Sequence, residues 1–484
     1  MSAPALRTRE AARRRQQRAW YVYDWANSGY VTTTATVLFT PYLTAVAEQA
    51  ACPGGAGEVD GVCRTPLSVL GLPVAPGSLA LYVVTAATLL SAVLLPVVGA
   101  LADRSPAPRR LLGRFAWTGA TAAAAMVLVA DGAWQLGAVL QLVATVGLTS
   151  SLVVYDALLV QVAGPDERDR VSSRGWALGY AGGGLLLALD LALVLGHDAL
   201  GLSEAQAVRA SLLTAGLWWA VFTIVPYRGL RGLDARGPAI RRAPQDVQDG
   251  RDVADVAGAV GAAGASRGRA VARAFVQLGV TLRHARAYPQ TLLFLVAYLF
   301  FNDGVQTVIG TASLYGQAEL GFRSSDLIIA ILLVQFVALG GALLFGRIAG
   351  RAGARRTVLG GLVVWLLVVV AGFALPAGRF GPFLLLAAGI GLVLGGTQAL
   401  SRSLYSQLVP RGQEAEYFSL YQAAERGTSW LGTFVFGLVF QLAGSYRPAI
   451  LSLVVFFLVG GVLLWRVDVR RGVADAGNPQ PTLV

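Results

Sequence analysis

Twelve stretches of this chain are apolar over lengths that, wound as helix, cross the ~30 Å hydrocarbon core of a bilayer. They run near 25–46, 78–101, 111–130, 134–161, 172–196, 208–226, 290–311, 326–346, 357–375, 381–408, 416–441 and 448–466. The 484 residues would suggest three soluble domains by length alone, but these stretches point to one polytopic, all-α membrane unit. Only 14% of the residues are charged and 55% are apolar, against roughly 25% charge in a soluble chain. That composition excludes an ordinary cytosolic enzyme, and it is too apolar for a disordered chain. All 39 basic residues are arginine. With no lysine there is neither a phosphate-binding P-loop lysine nor Schiff-base chemistry.

The net charge of +12 is a topology signal and does not indicate a nucleic-acid partner. With both termini cytoplasmic, the inner segments hold 31 arginines and the outer loops five; Arg114, Arg402 and Arg426 fall within helices. Such a bias sets the orientation by the positive-inside rule. The expected location is the cell membrane. Cys52 and Cys63 share the first outer loop, on the oxidising side, so they either form a disulfide or remain two free thiols. Arg13, Arg14 and Arg15 resemble a twin-arginine export signal only superficially, since no cleavage site follows. Residues 1–20 read instead as a cytoplasmic anchor.

Internal repetition divides the chain. Gly99-Ala-Leu101-Ala102-Asp103-Arg104, with Arg109 and Arg110 after it, returns 247 residues later as Gly346-Arg-Ile348-Ala349-Gly350-Arg351, with Arg355 and Arg356. Pro165 and Pro410 head a second matching pair at an offset of 245. Two matches at nearly one offset indicate a six-plus-six duplication of the kind found in secondary transporters. The expected units are a six-helix half at 21–226, a linker at 227–289, a second half at 290–467 and a cytoplasmic tail at 468–484. Within the linker, 231–270 reads as flexible. Val271, Phe275, Leu278 and Leu282 then recur at helical spacing, as either an amphipathic helix on the membrane surface or one packed under the bundle.

Twelve helices in two halves, with the Gly-x-Leu-Ala-Asp-Arg loop, resemble the major facilitator superfamily. More narrowly, Tyr23-Asp24-Trp25-Ala26-Asn27-Ser28, Arg174-Gly175-Trp176-Ala177-Leu178-Gly179-Tyr180, Asn302-Asp303-Gly304-Val305-Gln306-Thr307 and Gln398-Ala399-Leu400-Ser401-Arg402-Ser403 resemble motifs of the vacuole-effluxer-like (autophagy-related) family. The resemblance implies a secondary transporter and, in the fungal branch, amino-acid export from the vacuole. Gly350, where the second loop motif would carry an acid, and Glu425-Arg426 in the eleventh helix depart from the pattern.

Ionisable groups inside a bundle cost about 2.5–3.5 kcal/mol each on insertion scales, so they mark pathways, gates or paired locks. By resemblance, the first, fourth, seventh and tenth helices line the central cavity; they carry Asp24, Asp156, Asp303 and Arg402, one each. Asp156 and Arg402 stand 246 residues apart, at pseudo-symmetric positions. Asp303 lies ~20 Å along its helix, with Asn302, Gln306 and Thr307 on adjoining faces. This group serves either a substrate or coupling ion, or a helix–helix hydrogen-bond network. Asp24 and Asn27 fit a gate or cap as well as substrate contact. Arg402, Glu425 and Arg426 either hold a substrate carboxylate or close an ion-pair cluster. Asp103 and Arg104, with Arg109 and Arg110, form an expected gating loop that pairs with neighbouring helix ends. Asp190 has no assigned role, and His197 and His284 read as surface residues.

An integral-membrane enzyme would need clustered His, Cys, Asp or Glu at one interface, and two loop histidines with two outer cysteines do not supply it. A transporter-like receptor without flux is the other alternative, but the linker and tails lack core-forming patterns for an output domain. The reading is therefore a monomeric secondary transporter, without cofactor, metal or nucleic-acid partner. It would move a small solute through the lipid bilayer by alternating access, with proton coupling as the leading energy source.

Overall fold

The computed structural model describes residues 3–55, 58–59, 62–63, 65–234, 286–427 and 429–483. Most of the linker expected at 227–289, with its flexible stretch 231–270, the helix after it and His284, lies outside the described residues.

All twelve apolar stretches are helical over most of their described residues. Helix α1 runs through Ala3–Gly29, a π-helical stretch Tyr30–Leu38 and Phe39–Ala51. It is followed by α2 (Pro76–Arg104), α3 (Pro108–Ala125), α4 (Trp134–Val162), α5 (Arg168–Leu195) and α6 (Glu204–Gly229). The second set comprises α7 (Pro289–Ala318), α8 (Ser324–Ala352), α9 (Ala354–Phe373) and α10 (Phe380–Leu408). It ends with α11, in segments Glu414–Gly427 and Ser429–Ala443, and α12, in segments Tyr446–Ser452 and Val454–Arg466. Ten of these helices are long and apolar enough to cross a membrane. Of the other two, α1 carries Thr32, Thr33, Thr34 and Thr36 within its apolar stretch, and α11 carries Glu414, Glu416 and Glu425 in its first segment, leaving Leu431–Ala443 as a shorter apolar helix.

Local chemistry explains several ends. Proline occupies the first turn of α2, α3 and α7, where its missing N–H leaves no orphan donor. Ser203 caps α6, its hydroxyl accepting from the Gln206 N–H while the Gln206 amide oxygen accepts from the Ser203 N–H. Helix α1 starts far before its apolar stretch because the arginine-rich segment has partners. Arg13 pairs with Glu167, in the α4–α5 connection, at 2.5 Å, and the Gln17 amide donates to the carbonyl of Val162, the last residue of α4, at 3.1 Å.

An even number of spans places both termini at one end, here the terminal end. The opposite end carries two small antiparallel hairpins, β1 (Glu58–Val59) with β2 (Val62–Cys63), and β3 (Leu67–Val69) with β4 (Leu72–Val74). Cys52 and Cys63 are disulfide-bonded there. Large apolar side chains such as Leu81, Leu367 and Leu385 are exposed around the bundle, as lipid-facing residues must be.

The two six-helix sets meet along α2–α11 and α5–α8. The repeated glycines serve these seams. A β-carbon on Gly99 would stand 2.6 Å from the Ala415 carbonyl oxygen of α11, and one on Gly346 would stand 2.6 Å from the Ser173 side chain of α5. The same residue type, 247 positions apart, permits the same close approach between the sets.

Candidate functional site

Near the terminal end, α1, α4, α5 and α10 converge on the guanidinium of Arg402, which is 3% exposed. Its Nη2 donates to Asp24 Oδ2 at 3.0 Å and to the Ser172 carbonyl at 3.2 Å. Its Nη1 donates to Asp24 Oδ1 at 3.4 Å and Asp156 Oδ1 at 3.3 Å, and its Nε to Ser172 Oγ at 2.9 Å. A guanidinium has five N–H donors, and all five have partners. Trp20, Tyr155 and Trp176 lie around it, with ring centroids 4.8–5.4 Å from the guanidinium carbon. The carboxylates are held from behind: the Tyr155 hydroxyl donates to Asp24 at 2.7 Å, and the Gln422 amide donates to Asp156 at 2.8 Å. Only glycine fits at position 175, where a β-carbon would meet Asp24 Oδ2 at 2.4 Å.

This cluster floors a cavity of about 440 Å³ between the two sets, within the ~300–1,000 Å³ range of small-molecule sites. The walls carry amides (Asn27, Gln141, Gln306, Gln335, Gln398, Gln422), the hydroxyls of Ser28, Thr32, Thr88 and Ser91, and the rings of Tyr30, Trp176, Tyr180 and Tyr421. Asp24, Asp156, Arg402 and Glu425 are its charged lining. Asn302 stands one layer back. Its amide oxygen accepts from Gln398 at 2.8 Å and its nitrogen donates to the Glu425 carbonyl at 3.1 Å.

Asp24, Asn27, Asp156, Gln306, Arg402 and Glu425 are thus brought together around one cavity. Asp303 and Thr307 are not. Both face Gly432 of α11, away from the lining, and Asp303 Oδ2 accepts from the Gly432 N–H at 2.8 Å. The Arg426 side chain lies outside the described residues.

The gating loop divides similarly. Asp103 crosses between the sets and caps α11, taking the N–H groups of Ala415 and Glu416 at 2.8 Å each. Arg109 stays within the first set, bonded to Asp234 and stacked over Tyr227, while Arg104 and Arg110 are exposed. Further bonds close the terminal end: Arg168 donates to the Ser406 carbonyl at 2.7 Å, and Ser403 donates to Asp169 at 2.5 Å. Asp190 accepts from Thr214 at 2.7 Å and ties α5 to α6. His197 lies within 3.2 Å of Asp198 at the hairpin end.

Ser172, Gln422, Trp20 and Tyr155 were not singled out from the sequence. Gly175 and Trp176 stand inside a quoted motif, which was the one signal available for them.

Two sets of six helices around a central polar cavity, closed at one end by bonds between the sets, define a transporter of the major facilitator superfamily. The fold agrees with solved structures that share little sequence. A variant of the fucose:proton symporter FucP of E. coli gives a TM-score of 0.64 at 13% identity, covering 94% of this chain and 97% of that one. A bacterial homologue of the iron transporter ferroportin in its outward-facing state gives 0.62 at 13% identity, covering 94% and 99%. The model of the family described as "Vacuole effluxer Atg22 like" matches residues 12–168 and 161–477, and the chain belongs to that family. Among its relatives, the MFS-type transporter YxiO of Bacillus subtilis (strain 168) is 28% identical over 452 residues, 93% of this chain and 94% of that one. Autophagy-related protein 22-1 of Phaeosphaeria nodorum is 26% identical, over 85% of this chain and 79% of its own.

Proposed function

We propose that this transporter exports an amino acid or related small metabolite across the cell membrane, as a monomer, by proton-coupled alternating access. The terminal end is then cytoplasmic, in line with the arginine distribution, and the state described is closed toward the cytoplasm. The observation that carries the reading is Arg402, a residue of the second set whose five donors go to Asp24, Asp156 and Ser172 of the first, beneath the cavity. Opening inward separates the sets there and exposes these charges to water, so the cluster acts as a gate. With its guanidinium fully engaged, Arg402 does not hold a solute carboxylate in this state. In this reading the Gln306 amide on the cavity wall meets the carboxylate, and Glu425, on the same wall, meets the ammonium group. The family description as an effluxer supports the direction.

Uptake and efflux of a labelled amino-acid panel in proteoliposomes, with and without a pH gradient, tests this. Concentrative movement of at least one panel member under the gradient is expected. A panel that stays unmoved by correctly folded protein removes the amino-acid reading.

A further inference from the structure

Asp303 is 1% exposed and sits within α7, and none of the ion pairs among the described residues includes it. Its Oδ2 accepts the Gly432 N–H, but its Oδ1 has no hydrogen-bond partner. The buried hydroxyl of Thr307, one turn along the same helix, has none either. Both oxygens lie within 3.3 Å of one point, the position a β-carbon on Gly432 would take. Among the described residues, the other groups facing this point carry no charge. Helix α12 presents Phe456 and Phe457 to the neighbouring Gly304, and it has no ionisable residue from 448 to 465. On α11 the nearest charged positions are Glu425 and Arg426, about two turns from Gly432 along the chain; Glu425 stands beyond Asn302, and the Arg426 side chain lies outside the described residues; on α10 it is Arg402, in the gate.

An ionised carboxylate without a counter-charge, set in a bundle, is the costly arrangement. One proton removes the difficulty. Placed on Oδ1, it neutralises the acid, and rotation of the Thr307 side chain can bring its Oγ, which makes no hydrogen bond as it stands, to accept from it while Oδ2 keeps the Gly432 N–H. We infer that Asp303 and Thr307 form the proton-carrying site of the transport cycle, separate from the solute cavity and from the Arg402 gate. This rests on the proton coupling proposed above. The Gly432 N–H, near the start of the second α11 segment, also favours the anion. The proton can therefore leave when movement of α11 against α7 admits water. Asn302 and Gln306 connect the site to the cavity wall, since Gln306 lines the cavity and donates to Asn302 at 3.5 Å.

The test is Asp303→Asn, which reproduces the protonated acid in shape and hydrogen bonding. In proteoliposomes it should keep solute exchange within about twofold of wild type and lose accumulation driven by a pH gradient. In detergent, without any solute, variant and wild type should melt together at pH 5. The variant should become the more stable as the pH is raised to 9, because only the wild type then gives up its proton. A difference in melting temperature that does not change with pH overturns the protonation. Retained pH-driven accumulation overturns the coupling role, and loss of exchange together with accumulation assigns Asp303 to solute binding and overturns it too. Should Asp303→Asn not fold, Thr307→Val decides: removing the acceptor should shift the half-maximal pH of transport, or of the melting curve, down by about 0.5–1 pH unit, and no shift refutes the site. If wild type moves no solute at all, the function proposed above fails, while the melting experiment still reports on the proton.

Discussion

At the scale of single residues, Arg402 is the group whose replacement has the clearest consequence. Arg402→Ala leaves Asp24 and Asp156 buried without their cation, a change that costs about 3–5 kcal/mol. Arg402→Lys keeps the charge but supplies three donors in place of a planar set of five, so the bridge from α1 to α4 and α5 cannot be rebuilt. Both variants should lower exchange in proteoliposomes at least tenfold, and Arg402→Ala should also lose most of its monodisperse protein on heating. Gly175→Ala tests the packing beneath the cluster. Its methyl group would overlap Asp24 and approach an Arg402 nitrogen to 3.1 Å, and overpacking of this kind costs about 1–3 kcal/mol. A melting temperature equal to wild type would show that the gate yields to a methyl group. Part of this site was legible beforehand. Asp24, Asp156 and Arg402 stood out because charge is rare in apolar helices, and the offset of 246 marked the last two as counterparts. Ser172, Gln422 and Tyr155 carry no such mark, since hydroxyls and amides are common in polytopic chains and only the crossing of helices selects them. Asp303 shows the converse limit: its depth followed from counting residues, but the face it presents depends on how α7 is rotated against α11.

At the scale of helices, the two repeated loops are similar in sequence and unequal in bonding. Asp103 caps α11, while Gly350, its counterpart, has nothing within 4 Å of where a side chain would begin. Asp103→Ala should therefore cost about 1 kcal/mol and act on one conformation only, because the cap joins helices of different sets. Labelling of a cysteine introduced at the terminal end, in a background lacking the native pair, should speed up about fivefold, since 1 kcal/mol is close to that factor in population. Unchanged labelling would mean that α2 and α11 stay joined throughout the cycle. The disulfide is a different kind of restraint. Its closed loop is short, worth about 3 kcal/mol in the chain-entropy model, and it lies at the hairpin end, far from the gate. Reduction should lower the melting temperature and leave exchange intact. Mass spectrometry of non-reduced peptides should find Cys52 and Cys63 joined, and both thiols alkylated would contradict that pairing.

For the whole molecule, the duplication was readable because both halves keep a glycine where the sets touch, and residues needed for close packing cannot drift. The relative placement of the halves was not readable, since either closed end is compatible with the same helices. Cross-linking makes the cycle testable at this scale. Cysteines at Asp103 and Ala415, which already touch across the seam, should join α2 to α11 once Cys52 and Cys63 are replaced. Oxidation should then stop exchange and reduction restore it. Exchange that continues through the cross-link would rule out separation of the sets along that seam.

A guanidinium with no donor to spare also bears on how a membrane stays tight. Because Nη1 serves Asp24 and Asp156 together and Nη2 serves Asp24 and Ser172, no single bond can be given up while the rest stay in register. The door has no comfortable position ajar: it is shut, or it is open with all three helices released. A carrier embedded in an energised membrane needs that property, since any lingering half-open form would let ions run down the voltage the cell spends its metabolism maintaining.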